Sequence, residues 1–471
     1  METFLKQRVP ADSPALARIY GNFQSNLRDI VAVARESGAE VLVSTIGVNL
    51  KDSAPFASVH RADLAPENSG VWEARTREGA ALEAAGDHSQ ALQHYLAAAA
   101  IDNRYAELQF RIGRCYLALG DFAAAKDRFV RARDLDVLRF RADSRINEII
   151  RSVAAAAGPG VELFDAHSLL AQVSPEGIPG RELFYEHVHM TPQGNYQLAR
   201  ALFPRVVALL PQALRGSGAS SDAPPAEESD RLLALTQFDR RRVAQFMVGA
   251  LSRPPFTNQL THQEQVAALE REVKDGTDDP SQTDAAYRWA IARVSDDRWL
   301  HFNYGNFLQQ QREPAAAAAE FRHALDLLPG NYPAREKLAD ALIQMGEYGE
   351  SVAQCRELLR QMPYHAPAYL TMAYALAQLR SFDEAISAYE QATRLHPAYA
   401  VDAYNAIGVV QMLQGRFDRA ASSFQRALDL DTDHTKTAEL QYRLSYALQK
   451  LGRSAEAQHP LDGATMSDPQ R

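Results

Sequence analysis

Along much of the chain, apolar positions recur at helical spacing. Leu16, Ile19, Tyr20, Phe23, Leu27, Ile30 and Val31 return at intervals of three and four, the signature of one buried helix face. Asp12-Ser13-Pro14 opens that stretch with Pro in the first turn and Gly38 closes it, so the pattern predicts a helix over 12–37. In the run from Glu40 to Ile46, Val41, Leu42, Val43 and Ile46 are apolar, which predicts a buried strand. A loop follows from Gly47 to Asp52. A helix around 141–157, the turn Gly158-Pro159-Gly160 and a second predicted buried strand, Val161–Asp165, repeat the sequence of events. Leu198, Ala199, Leu202, Val206 and Leu209 predict one more helix. Helix and apolar strand in alternation is an α/β order.

A different pattern interrupts it. Gly79, Gly86, Ala91, Tyr95 and Ala98 return 34 residues later as Gly113, Gly120, Ala125, Phe129 and Ala132. The same pattern reappears near the C-terminus in Gly305, Ala317, Phe321, Ala324 and Pro329, then in Ala339, Gly346, Ser351, Cys355 and Pro363. Ala373, Ala385, Tyr389, Ala392 and Pro397 follow. Gly408, Gly415, Ala420, Phe424 and Ala427 come after one inserted residue, and Gly452 and Ala457 begin a partial unit. Small residues at these places let two helices cross closely. The aromatic fills the gap, and Pro ends the second helix.

In period and in residue type this resembles the tetratricopeptide repeat. The resemblance covers residues about 70–140 and 298–459 and implies stacked helix pairs with a concave groove lined by first helices. It places Asn306, Gln309, Gln310, Asp340, Gln344, Tyr374, Gln378 and Asn405 in that groove. Leu413 departs from the row of Gln310, Gln344 and Gln378. With no Lys or Arg among these positions, capture of a C-terminal carboxylate is not expected. Either the groove is simply a solvated face, or it holds an extended or helical peptide by amide hydrogen bonds.

The segment Glu186-His187-Val188-His189-Met190-Thr191-Pro192-Gln193-Gly194 carries a second resemblance. Acid–x–Val–His–x–Thr–x–x–Gly after two strands is similar to the last block of SGNH (GDSL-type) esterases. That resemblance implies His189 as general base and Glu186, where the family usually has Asp, as the group that orients it. The family's serine and oxyanion blocks would precede the 12–37 helix and are not found in this chain. The expectation is an N-terminally shortened form, or a domain without its chemistry, that does not hydrolyse esters alone. The missing strands would leave an open, apolar sheet edge with a tendency to self-associate. A metal reading of His187 and His189, with Glu186 adjacent, lacks a third ligand at a recognisable spacing. No cofactor is expected.

The expected architecture is therefore mainly α: a helical-hairpin solenoid plus a partial α/β three-layer domain at 1–69 and 141–214, interrupted by a repeat pair at 70–140. A flexible linker at 215–230, rich in Ser, Gly, Ala and Pro, reads as the clearest boundary. A helical bridging region at 231–297, the repeat array at 298–459 and a disordered tail at 460–471 complete the division. Within the bridge, Arg240-Arg241-Arg242 reads as a solvated helix face, Lys274–Thr283 as a polar break, and Asp284–Val294 as a capping helix.

Charge and cysteine content change this picture little. The chain has 471 residues and a formal net charge of -9, which argues against nucleic acid as the main partner. Cys115 and Cys355 are the two cysteines and fall at buried helical positions. No apolar run is long enough to span a membrane, and Met1–Gln7 does not read as a signal peptide. Cytoplasmic location is the expectation, or export or anchoring if a longer N-terminus exists. The expected partner is a protein or peptide.

Overall fold

The computed structural model describes residues 5–215, 222–276, 278–453 and 455–457. The chain divides into two compact units, 1–279 and 280–471.

In the first unit, α1 (Pro14–Glu36) is capped by Ser13, whose side chain accepts from the Ala15 N–H. It leads into β1 (Val41–Ser44). β1 pairs in parallel with β2 (Val161–Phe164), Val41 opposite Val161 and Ser44 opposite Phe164. The connection between them holds four helices of the repeat type, α2 (Pro66–Ala84), α3 (His88–Ile101), α4 (Ala106–Ala118) and α5 (Phe122–Leu135), and then α6 (Ser144–Ala156). Val31, Ile149, Ile150 and Val153 of α1 and α6 pack with Val43 of β1. After β2 come α7 (Ala166–Val173) and α8 (Pro192–Leu209).

The two strands are less buried than their apolar runs predict. Only Val43 in β1 and Phe164 in β2 are fully covered. Among the described residues the sheet has two strands, so each strand keeps one edge without a strand neighbour.

One buried ion pair joins the repeat insert to the α/β core. Arg141 donates to Asp136 at 3.3 Å and to the carbonyls of Asn49 and Ser53 at 3.1 and 2.7 Å. Asp136 in turn accepts the N–H groups of Phe56, Ala57 and Leu138. Burial raises the Asp136 carboxyl, with Arg141 and the backbone donors opposing the rise. A charge buried here without its partner would be costly.

The linker differs from its expected extent. Residues 216–221 lie outside the described residues, but α9 (Ala226–Leu232) already occupies the end of the predicted segment. Pro224 and Pro225 precede it, which suits a helix start. α10 (Gln237–Leu251) and α11 (His262–Asp275) then pack on each other. They belong to the first compact unit, and Phe56, Leu138, Met247, Leu251 and Leu269 share one core. The basic run is not a solvated face either. Arg240 pairs with Asp230 at 2.8 Å, Arg241 pairs with Asp278, and Arg242 lies over the Phe238 ring. The expected polar break is also shorter, since α11 runs to Asp275 and α12 (Pro280–Ile291) starts at Pro280.

The second unit begins with α12 and continues as helix pairs: α13 (Arg298–Gln310) with α14 (Pro314–Leu327), and α15 (Tyr332–Met345) with α16 (Tyr348–Gln361). Next come α17 (Ala366–Gln378) with α18 (Phe382–Leu395), and α19 (Ala400–Leu413) with α20 (Phe417–Leu430). α21 (Thr437–Lys450) follows as a further first helix. Residues 455–457 are helical, and Ser445 donates to the carbonyl of Ala457 at 2.8 Å. The predicted tail lies outside the described residues.

Close crossings explain the repeat signature. A Cβ built on Gly79, Gly113, Gly305 or Gly408 would strike Tyr95, Phe129, Phe321 or Phe424 respectively, at 2.5–2.8 Å. Each of those rings is at most 1% exposed. The pattern runs one step further back than the sequence reading placed it: Thr283, Tyr287 and Ala290 of α12 stand 34 residues before Ala317, Phe321 and Ala324, and all three are buried. α12 therefore carries the second-helix register of another unit.

Candidate functional site

The first helices of the array place the predicted groove residues in rows. Asn306, Asp340 and Tyr374 occupy one position of α13, α15 and α17, spaced by 34. Gln310, Gln344 and Gln378 occupy another, one turn later, and all three are exposed. α13 touches α15, and α15 touches α17, so the rows are continuous surfaces. Tyr374 is 44% exposed. The Asn306 amide donates to the Phe302 carbonyl at 2.8 Å, and Gln309 is half-buried.

Two positions differ from an open amide surface. Asp340 is half-buried, accepts from the Thr371 hydroxyl at 3.3 Å, and lies 3.9 Å from the Lys337 ammonium. Burial raises its carboxyl above the ordinary range, with Lys337 opposing the rise. Asn405 is buried, with its amide donating to Glu439 of α21 at 3.3 Å. It acts as a strut between first helices and offers little surface to a ligand. The exposed aromatics Trp299, Tyr442 and Tyr446 also stand on first helices. The sequence reading missed them, although their places follow from helical register.

The second candidate is the loop between α7 and α8. Phe184 and Met190 form an antiparallel bridge, and the Tyr185 N–H donates to the His189 carbonyl at 2.8 Å. These bonds close a tight loop around Glu186, which is 1% exposed. Its carboxylate accepts the N–H groups of His187, Val188 and His189 at 2.7, 3.2 and 2.6 Å. It also meets Nδ1 of His189 at 2.5 Å. A carboxylate only accepts, so Nδ1 carries a proton, and in the neutral tautomer the lone pair is on Nε2. The His189 side chain is 73% exposed. The motif's Thr and Gly have local roles. Thr191 caps α8 by accepting the Gly194 N–H and donates to the Glu182 carbonyl. Gly194 lets the helix start press against the backbone of Leu183.

His187 is placed differently from His189. Its ring packs edge-on to Phe56 and near Phe256, and its Nδ1 also contacts Glu186. Burial holds its titration down at about 3, helped by Arg141 and His189. A neutral, largely covered ring of this kind is a packing element. Among the described residues no three His, Cys, Asp or Glu side chains form a cation site. A cavity of about 140 Å³ lies beside the loop, lined by Asn49, Tyr185 and Thr191 and by Gln265, Leu269 and Glu272 of α11. His189 is not part of its wall.

Models of the tetratricopeptide repeat match residues 82–139, and residues 305–366 and 370–435. The chain carries tetratricopeptide repeats in both compact units. Neither model reaches the α/β segments, so the hydrolase resemblance gains no support from them. No curated protein matches the chain.

Several solved structures are similar to part of it. A MamA protein is 18% identical, with 36% of this chain and 89% of that one covered and a TM-score of 0.33. A thermophilic repeat protein of Thermus thermophilus, TTC0263, is 23% identical over 37% of this chain and 93% of its own, with a TM-score of 0.30. YrrB, described as a repeat protein with an unusual peptide-binding site, is 20% identical over 36% and 84%, with a TM-score of 0.31. Among the described residues no helix is long and apolar enough to cross a membrane.

Proposed function

We propose that the protein is an interaction scaffold whose C-terminal repeats hold a peptide segment of another protein. The observation that carries this is the exposed row Gln310, Gln344 and Gln378, with Tyr374 beside it on consecutive first helices. Side-chain amides offer a donor and an acceptor each, which matches the backbone of an extended or helical peptide irrespective of its sequence. Tyr374 adds apolar contact area with few rotatable bonds. Selection of binders from a random peptide display library, using the full chain as bait, tests the reading. Peptides selected on the wild type should bind at least about tenfold more weakly to a Gln344→Ala, Tyr374→Ala, Gln378→Ala variant, a loss of about 1.4 kcal/mol or more. Equal binding to both proteins would place recognition elsewhere and overturn it.

A second reading rests on the 2.5 Å bond between Glu186 and Nδ1 of His189. An oriented imidazole with a free Nε2 is the base half of an SGNH-type acyl hydrolase site. Its nucleophile would have to come from a serine outside the loop. Hydrolysis of p-nitrophenyl acetate by wild type above that by His189→Ala would favour it, and equal rates would dismiss it for this chain.

A further inference from the structure

A second imidazole–carboxylate pair lies away from both sites, where the loop after β1 meets the inserted repeats. Nδ1 of His60 is 2.8 Å from Oδ2 of Asp102. Asp102 follows the last turn of α3, and its side chain is fully buried, whereas the His60 ring is 32% exposed. The carboxylate also accepts the backbone N–H groups of Arg61 and Arg104 at 3.2 and 2.9 Å. Because it only accepts, the proton of neutral His60 sits on Nδ1 and the lone pair on Nε2. Trp72 and Tyr105 hold the ring, with centroids 4.5 and 4.6 Å away.

His60, Arg61 and Arg104 line a cavity of about 170 Å³. The segment from Pro10 to Asp12 forms another part of its wall, with Leu135 and Val137 beside it. The guanidinium groups are engaged by carboxylates that are themselves largely in solvent. Arg104 pairs with Asp12 at 2.8 Å, and Asp12 is 56% exposed; Arg61 pairs with Asp63 at 2.7 Å, and Asp63 is 75% exposed. The exposed pair of Arg104 with Asp12 contributes little, so an incoming oxyanion can take over that guanidinium, displacing Asp12 from the cavity wall. Arg61 holds Asp63 through two bonds at 2.8 and 2.7 Å and keeps further N–H groups for a ligand.

The donor and acceptor set restricts what fits. The two guanidinium groups call for negatively charged oxygens, and Nε2 of His60 calls for an O–H. Near neutral pH a carboxylate or sulfate supplies only the first. A phosphoryl group can supply both: inorganic phosphate keeps an O–H at neutral pH, and a phosphate monoester keeps one in its monoanion, which is still populated around its second ionisation near pH 6. We propose that this cavity binds a phosphoryl group, with Arg61 and Arg104 on its charged oxygens and Nε2 of His60 accepting from its hydroxyl.

Calorimetric titration of the full chain at pH 6.5 and constant ionic strength tests the proposal, with inorganic phosphate, O-phosphoserine and sulfate as probes. Inorganic phosphate should bind saturably, and sulfate about tenfold or more weaker, the discrimination expected from one lost hydrogen bond to a desolvated group. Arg104→Gln should weaken phosphate by about tenfold through loss of a charge-assisted bond. His60→Phe keeps the ring packed against Trp72 and should erase the preference for phosphate over sulfate. O-phosphoserine binding as tightly as phosphate would support a phosphoryl group on a carrier, and phosphate binding alone would support the free ion. Absence of saturable binding, or phosphate and sulfate binding equally in wild type and both variants, would overturn the proposal.

Discussion

Gly305 and Phe321 are locked to one another: a Cβ added to Gly305 would come within 2.6 Å of Cε1 of Phe321. The ring is fully buried and is backed by Ala317 and Ala324 on its own helix, so it cannot swing outward without opening the α13–α14 crossing. Where the first-helix residue is Ala339, the facing position is the smaller Cys355. Where it is Ala373, the facing Tyr389 is 6% exposed and not wholly covered. Gly305→Ala should therefore destabilise the array by about 1–3 kcal/mol through overpacking. A double variant that also carries Phe321→Leu should recover part of the loss, since the methyl then has room. Denaturant melts followed by circular dichroism measure both, and an unchanged midpoint for Gly305→Ala would refute the crossing argument.

The turns inside the helix pairs carry strain in alternate units. Gly346 and Gly415 adopt the left-handed conformation at φ 78° and 74°, and Arg312 and Arg380 take it at φ 63° and 62° in the equivalent turns. A side chain costs about 1–2 kcal/mol in this region. Glycine avoids that cost but loses about 0.5–1 kcal/mol more chain entropy on folding. Arg312→Gly and Arg380→Gly should each stabilise the protein by about 0.5–1 kcal/mol net. The sites are in separate units, so the double variant should show the sum. Thermal melts that move downward for either single variant would contradict this.

How much of the molecule could be read beforehand follows from where each signal is written. The repeats were legible because one steric contact, glycine against ring, fixes residue types at fixed separations. The half-unit of α12 was missed because Thr283, Tyr287 and Ala290 keep only the second-helix part of that pattern. The strands were legible as strands but not as partly exposed ones, because burial depends on neighbours that apolar composition does not name. The tie between Glu186 and His189 is implied by the SGNH resemblance, and its two members stand three residues apart. The pair of His60 with Asp102 joins a loop to the end of a helix 42 residues on, and no periodicity connects them. Asn405 is assigned to the groove by the repeat resemblance, which does not reveal its contact with Glu439.

His301 on α13 is buried, with Nδ1 2.6 Å from the Glu320 carboxylate of α14 and Nε2 3.1 Å from the Ser295 carbonyl. The hydrogen bond to Glu320 raises its titration above the ordinary imidazole range, against the opposing effect of burial. The His323 ring lies 5.3 Å away. A raised value means the folded protein holds this proton more tightly than the unfolded chain. Its contribution to stability is then fully present below the unfolded imidazole value of about 6.5, and is lost as pH climbs through the raised folded value. His301→Gln keeps hydrogen-bonding capacity but cannot titrate. The stability advantage of wild type over His301→Gln should be largest near pH 5.5 and shrink towards pH 9, as read from denaturant midpoints. An advantage that stays constant or grows with pH would mean that the Glu320 carboxylate does not help His301 hold its second proton in the folded protein.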